Sequence, residues 1–161
     1  MPYNRIIIIG SGGAGKSTLA RKLAGKLNLP LYHLDKIHWL PGWKAISRDE
    51  FVRKQHEIFK EERWIIDGNY ISTMAMRAEE ADAIIFLDFS VIACLRGVLK
   101  RYFSKEKRPD MAEGCEENLD LQFLYWIVTF RFHTKPKIKS ILEQYKDRKK
   151  IFVLRNRKEI N

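Results

Sequence analysis

The sequence is poor in cysteine, and that scarcity excludes several architectures. Cys94 and Cys115 stand alone in 161 residues. Their spacing fits neither Cys-x-x-Cys nor any zinc pattern, so a disulfide scaffold and a structural zinc site both fall away. Two free thiols in a reducing compartment are expected. Long apolar runs are lacking too. Ile6–Ile9 is far too short for a signal peptide and runs straight into a glycine-rich turn. The longest apolar stretch, Phe123–Phe130, is interrupted by Thr129 and bounded by Gln122 and Arg131. It cannot span a bilayer. The expected protein is soluble and cytoplasmic, with no membrane partner. There is no internal repeat, no linker and no long basic tail. Nothing spells a helix-turn-helix or a zinc finger.

Positive charge is abundant. Thirty Lys and Arg stand against twenty Asp and Glu, a formal net charge of +10. Such a surplus can attract DNA or RNA. It can equally serve small anionic substrates. The charges are spread along the chain, which favours the second reading and leaves nucleic acid as a partner without a motif. The length and an apolar fraction of 45% suit one compact domain over residues 1–161.

Apolar runs alternate with amphipathic stretches. Arg5–Gly10 reads as a central parallel strand, apolar on both faces. The next segment carries Leu19, Leu23 and Leu27 on one helical stripe, stopped by Asn28 and Pro30. Leu31–Leu34 is a short strand ending at Asp35. An aromatic, turn-rich segment follows over Lys36–Ala45. Ser47-Arg-Asp-Glu50 is a capping box that starts a helix. Further strands are predicted at Trp64–Asp67, Ala83–Asp88 and Ile151–Leu154. Helices are predicted from about Ser72, after Ser90, over Asn118–Phe132 and over Pro136–Tyr145. Between the second and third of these lies Arg101–Cys115, a charged stretch with breakers that reads as a lid. The alternation predicts an α/β fold with a doubly wound parallel sheet, binding ligands at the carboxyl ends of its strands.

Gly10-Ser11-Gly12-Gly13-Ala14-Gly15-Lys16-Ser17 matches G-x-x-x-x-G-K-[ST] in full, between a strand and a helix. Glycines let successive N–H groups turn inward as an anion nest, and the helix adds its positive N-terminal end. Lys16 can reach the β- and γ-phosphates, the Ser17 hydroxyl can ligate Mg²⁺, and Thr18 can bond the α-phosphate. The expected ligands are ATP and Mg²⁺. A G-x-G-x-x-G can also be read at Gly10–Gly15, but the Lys16-Ser17 pair argues against a dinucleotide.

With this motif, His33-Leu-Asp35, Trp64-Ile-Ile-Asp67-Gly68-Asn69-Tyr70, Phe86-Leu87-Asp88 and Arg108-Pro-Asp110, the chain resembles the adenylate-kinase-like P-loop kinases. The likeness extends over nearly the whole chain. It is nearest to their small bacterial branch called DNA topology modulation proteins (FlaR-type), through Leu34-Asp35, His38-Trp39, Pro41-Gly42-Trp43 and Asp67-Gly68-Asn69-Tyr70. The resemblance implies five strands in the order 2-3-1-4-5 and a short helical lid, 101–115, closing over ATP. It implies an acceptor-binding segment within 33–78.

Roles follow from the same likeness. Asp67 at a strand end is the expected metal partner beside Ser17, with Asp88 as its rival. Asp35 would grip or deprotonate an acceptor hydroxyl. Trp39, Asn69 and Tyr70 would line the acceptor pocket, with His33, His38 and Trp43 as further candidates. Arg77 would hold the acceptor. Arg101 and Arg108 would close on the transferred phosphate. Arg155, after the last strand, would cover the purine; this loop lacks the Asn-Lys-x-Asp tetrad that reads guanine, which favours ATP. The chain ends soon after that strand, so a C-terminal helix seen in adenylate kinases is expected to be missing. The implied activity is transfer of the ATP γ-phosphate to an unidentified small-molecule acceptor, a nucleotide among the candidates. The alternative is a nucleotide-dependent regulator of DNA topology with little acceptor turnover.

Overall fold

The computed structural model describes residues 3–105, 107–116 and 119–160. Ile6 to Ile9 are β-branched and alternate in the faces they present, so both sides of their strand must be covered. This strand, β1 (Arg5–Gly10), lies at the centre of a five-stranded sheet. Its neighbours are β5 (Trp64–Asp67) and β6 (Ala83–Leu87), with β2 (Leu31–His33) and β7 (Lys150–Leu154) outside them. The order β2-β5-β1-β6-β7 is parallel throughout, the 2-3-1-4-5 arrangement when only these strands are counted. Strands β3 (Trp39–Leu40) and β4 (Lys44–Ala45) form a separate hairpin.

Two cores result. Ile7, Ile9, Ile66, Ile84 and Phe86 pack on one face with α3 (Arg48–Phe59), α4 (Ile71–Glu80) and α7 (Lys135–Tyr145). Ile6, Ile8, Ile65 and Leu87 pack on the other with α1 (Lys16–Leu27) and α5 (Val91–Ser104). Helix α6 (Leu121–His133) contributes to both. Side-chain caps set several boundaries: Ser47 Oγ accepts from Glu50 N–H at 3.2 Å, and Ser90 Oγ from Ala93 N–H at 3.2 Å. Among the described residues no helix is long and apolar enough to cross a membrane.

Three boundaries differ from expectation. Strand β2 stops at His33, because Leu34 turns inward to full burial and opens the short helix α2 (Leu34–His38), which carries Asp35. Arg101 belongs to α5, whose helix persists until Lys105 turns left-handed at φ 51°. Asn118, the expected start of the sixth helix, lies outside the described residues; the helix begins at Leu121, capped by Asp120 Oδ1 on Gln122 N–H at 3.0 Å.

Candidate functional site

The sheet register brings the strand ends together. Asp67 lies opposite Ile8 and His33, so β2, β5 and β1 all finish beside the loop that leaves Gly10. Asn69 clamps the base of that loop: its Oδ1 accepts from Gly10 N–H at 2.9 Å and its Nδ2 donates to the Gly10 carbonyl. Gly13 turns at φ 75°, and a Cβ there would stand 2.1 Å from the Cys94 carbonyl oxygen. Both the conformation and the space require glycine. Lys16 opens α1, and its Nζ folds back to donate to the Ser11 carbonyl at 3.0 Å. Burial lowers the pKa of its ammonium, while Asp67 and Asp35 act in the opposite direction. Both carboxylates therefore share the cleft with Lys16.

Asp67 has the environment of a metal partner. Its Oδ1 is 3.1 Å from His33 Nδ1, and its Oδ2 is buried without a hydrogen bond. An orphaned buried carboxylate oxygen is costly unless a cation or water meets it. Ser17 lines the same cleft. Among the described residues no group of three or more acidic, His or Cys side chains could hold a metal. A Mg²⁺ ion would need only one or two protein oxygens, its shell being completed by phosphates and water. The rival Asp88 is engaged elsewhere, paired with Lys135 Nζ at 2.6 Å.

The cradle opens into a cavity of about 1070 Å³. Asp35, Trp39, Trp43, Asn69 and Tyr70 line it. Tyr70 O–H donates to Asp35 Oδ1 at 2.7 Å. Burial, and then the negative charge of Asp35, push the Tyr70 phenol well above its ordinary value, so it stays a donor. Trp39 and Trp43 meet edge to face at 5.5 Å. Trp43 is 42% exposed at the hairpin tip, in the left-handed region at φ 60°, a strained conformation for a bulky residue. His38 packs between Trp39, Phe51 and Tyr70, and burial lowers its pKa.

Two expected acceptor ligands serve other purposes. Arg77 is fully buried and does not reach the cavity. Its guanidinium donates to Gln55 Oε1 at 3.1 Å, to Thr73 Oγ1 at 2.8 Å and to the carbonyls of Gly68, Asn69 and Tyr70. Burial pushes its pKa down to about 9. It builds the turn that presents Asn69 and Tyr70, because α4 starts immediately after them and turns residue 77 inward. Asn69 lines the cavity, but its amide is committed to Gly10 through both ends.

The segment after α5 brings Arg108 and Asp110 over the cradle, and Arg101 reaches the cavity from α5. Asp110 is buried and pairs with Arg108, with Arg21 Nη1 3.6 Å away. Burial acts to raise its pKa, but the Arg108 hydrogen bond and charge, helped by the Ser17 hydroxyl, hold the carboxyl below the usual carboxylate range. The far end of the segment is tied to the hairpin. Gly42 N–H donates to the Gly114 carbonyl at 3.0 Å, and Cys115 Sγ donates to the Leu40 carbonyl at 3.3 Å.

Sequence reasoning missed four contributors. Asp110 belongs to the Arg108-Pro-Asp110 run that carries the family resemblance, but no site role is expected of it. Arg155 is exposed and away from the cavity, whereas Arg157 lines it and donates to the Gly13 carbonyl at 3.2 Å. The tight turn after β7, closed by Arg155 N–H on Glu159 Oε2 at 2.9 Å, carries residue 157 inward. Phe123 and Trp126 of α6 also line the cavity. Their helix is predominantly apolar, so its pattern gave no sign of which face met the cleft.

No protein-family model matches the chain. A shikimate kinase of Rhodococcus jostii (strain RHA1) is 28% identical over 125 residues, covering 68% of this chain and 71% of that protein. Among solved structures, a shikimate kinase from Bacteroides thetaiotaomicron superposes with a TM-score of 0.53 at 20% identity, covering 91% of this chain and 98% of that one. A gluconokinase from Sinorhizobium meliloti 1021 gives 0.53 at 15% identity, covering 94% and 82%. The fold is that of P-loop kinases.

Proposed function

We propose that the chain is an ATP-dependent kinase that phosphorylates a hydroxyl of a small anionic acceptor. The observation that carries this reading is that the phosphate cradle and Asp35 line one cavity, with Asp35 close enough to Lys16 to influence its charge. In this reading the hairpin and turn within 33–78 form the acceptor side of the one domain, and the segment from Lys105 to Cys115 forms the lid.

The roles follow from the chemistry of phosphoryl transfer, which needs positioning and charge neutralisation more than covalent help. Asp35, oriented by Tyr70, takes the proton of the acceptor hydroxyl at its second oxygen. The acceptor oxygen bonds to the γ-phosphorus as the bond from phosphorus to the β-bridging oxygen breaks, and ADP leaves. Lys16, Arg101 and Arg108 neutralise charge on the moving group. Mg²⁺, held by the Ser17 hydroxyl and Asp67, would supply charge neutralisation at the β- and γ-oxygens. Arg157 lies on the base side, in place of the expected Arg155.

Charge in the cavity supports an anionic acceptor. Seven Lys and Arg side chains line it against four aspartates. MgATP brings about two negative charges, which leaves about one positive charge for the acceptor. Shikimate, the acceptor named for the relative above, carries one carboxylate beside its hydroxyls and is of this class. The likeness to the DNA topology modulation branch stays a family proposal; for direct DNA action, the net charge is the one supporting feature.

The test is ADP release across a panel of hydroxy acids and nucleotides, with Lys16→Ala as control. Release that depends on one hydroxy acid and disappears in the control is expected. Asp35→Asn should lower turnover by at least about 100-fold with nearly unchanged MgATP affinity. If no compound on the panel stimulates ADP release, and duplex DNA instead binds with a steep salt dependence, the kinase reading is wrong.

A further inference from the structure

Helix α6 is predominantly apolar, with Gln122, Thr129, Arg131 and His133 as its polar residues. One face nevertheless meets water. Leu121 is 80% exposed, Tyr125 68%, Val128 45% and Phe132 64%. At about 100° per residue these four lie within about 60° of one another. Thr129 and Arg131 flank them, and the Arg131 guanidinium lies 4.9 Å from the Phe132 ring centroid at one end of the stripe. The opposite face is already occupied: Ile127 and Phe130 are buried, and the Phe123 ring seats against Gly12. Exposed apolar stripes of this kind mark interaction surfaces.

From this stripe we infer that α6 pairs with α6 of a second copy of the chain, antiparallel about a twofold axis. The spacing of the stripe is four, three, four, so it reads the same in both directions. A twofold axis crossing the helix between Trp126 and Ile127 places Leu121 opposite Phe132 of the second copy and Tyr125 opposite Val128. A twofold interface requires this self-complementarity, in which each residue meets a partner that meets it in return. The spacing is also the alternation of a two-helix seam. The four side chains present roughly 500 Å² of surface. A stable complex buries roughly 800 Å² per partner, of which this stripe supplies more than half, and the neighbouring α5 also exposes Ile92 and Phe103. The net charge of +10 opposes association, so an uncharged seam is where two copies can meet.

The experiment is sedimentation equilibrium of the full chain through a dilution series, with two single variants. The parent should show twice the 19.0 kDa chain mass. Tyr125→Lys and Val128→Glu should each weaken the dimer by at least about 100-fold, with far-UV circular dichroism and thermal melts confirming an intact fold. An equimolar mixture of the two variants should dimerise again, because antiparallel pairing sets Lys against Glu at one contact and restores the parent pair at the other. A parent that stays at 19.0 kDa at every concentration overturns the inference. So does a mixture that remains monomeric while each variant is folded. Binding of a monomeric parent to anionic phospholipid vesicles, lost in both variants, would assign the face to a membrane surface and overturn it as well.

Discussion

Replacing Gly97 by alanine sets two effects against each other, and the structure says which wins. Within an exposed helix the change is favourable by about 0.8–1.0 kcal/mol. Gly97 lies in α5 where the helix touches the phosphate loop, and a Cβ there would stand 2.1 Å from the Gly13 carbonyl oxygen and 2.9 Å from Arg157 Nη2. Arg157 can move aside, but the carbonyl is backbone. An ordinary contact is 3.4 Å, so the helix and the loop must separate by about 1.3 Å. Overpacking of this kind costs about 1–3 kcal/mol. The net effect is a destabilisation of about 1 kcal/mol. The functional effect should be larger than the structural one. The peptide that carries the Gly13 carbonyl carries the Ala14 N–H on its opposite edge, so any tilt is passed directly to the nest. We expect MgATP affinity to fall by at least about tenfold, or about 1.4 kcal/mol. Gly25→Ala is the matched control. It lies in α1 with nothing within 4 Å of its would-be Cβ, so it should stabilise the fold by a few tenths to about 1 kcal/mol and leave affinity alone. Urea unfolding and calorimetric titration with MgATP measure both. A Gly97→Ala protein that gains stability and binds nucleotide like the parent would refute the argument.

Arg77→Met should cost roughly 3 kcal/mol in urea unfolding, since the buried carbonyls of Gly68, Asn69 and Tyr70 lose their donor; an unchanged midpoint would show that water replaces it. MgATP binding should take up a proton on the alkaline side. Burial sets the Lys16 ammonium below the ordinary 10.5, and phosphate draws it back up; calorimetry in two buffers of different ionisation enthalpy detects this, and Lys16→Ala should abolish it. The Asp110 carboxyl is held below its unfolded value of 3.8. Its contribution to stability is therefore complete above that value and is lost as pH falls through the lower folded pKa. Asp110→Asn should remove this acid-side slope and speed proteolytic cleavage of the segment around Pro109; an identical pH profile would show that the carboxylate is not held there.

The parts of this molecule that were legible in its sequence are those written in local periodicity. The Ile6–Ile9 run required a strand covered on both faces, and at the strand-to-helix junction Gly10–Ser17 the Lys16-Ser17 pair favoured the phosphate cradle over a dinucleotide fingerprint. The boundaries set by side-chain caps at Ser47 and Ser90 were equally local. What escaped depends on contacts between distant segments. Arg77 looked like an acceptor ligand because its neighbours in sequence face the cleft, yet its position on α4 turns it into the core, where three carbonyls and two side chains receive it. Arg155 and Arg157 cannot be told apart until the turn that Glu159 closes is known. Asn69 is polar, near the strand end and in the cavity, but its two hydrogen bonds to Gly10 make it part of the cradle wall. For Arg77 and Asn69, the backbone had already claimed a polar side chain that the sequence offered to a ligand.

The same competition between backbone and ligand explains how the site can respond to its occupants. Asp110 holds the Ser17 hydroxyl and Arg108 together, and a triphosphate in the cradle would offer Arg108 a more negative partner. The segment that carries Asp110 is tied at its far end to the hairpin bearing Trp43, through Gly42 with Gly114 and Leu40 with Cys115. A shift at one end of this segment would therefore bear on Trp43 at the other, and the reverse by linkage. On the other flank, Phe123 presses on Gly12 from the inner face of the helix whose outer face is the proposed seam. Pairing of two copies would hold that ring in place. It follows that Tyr125→Lys should loosen nucleotide binding even though residue 125 points away from the cleft, and that mixing it with Val128→Glu should restore nucleotide affinity together with the dimer. Nucleotide affinity identical in monomer and dimer would show that the two faces of α6 act independently.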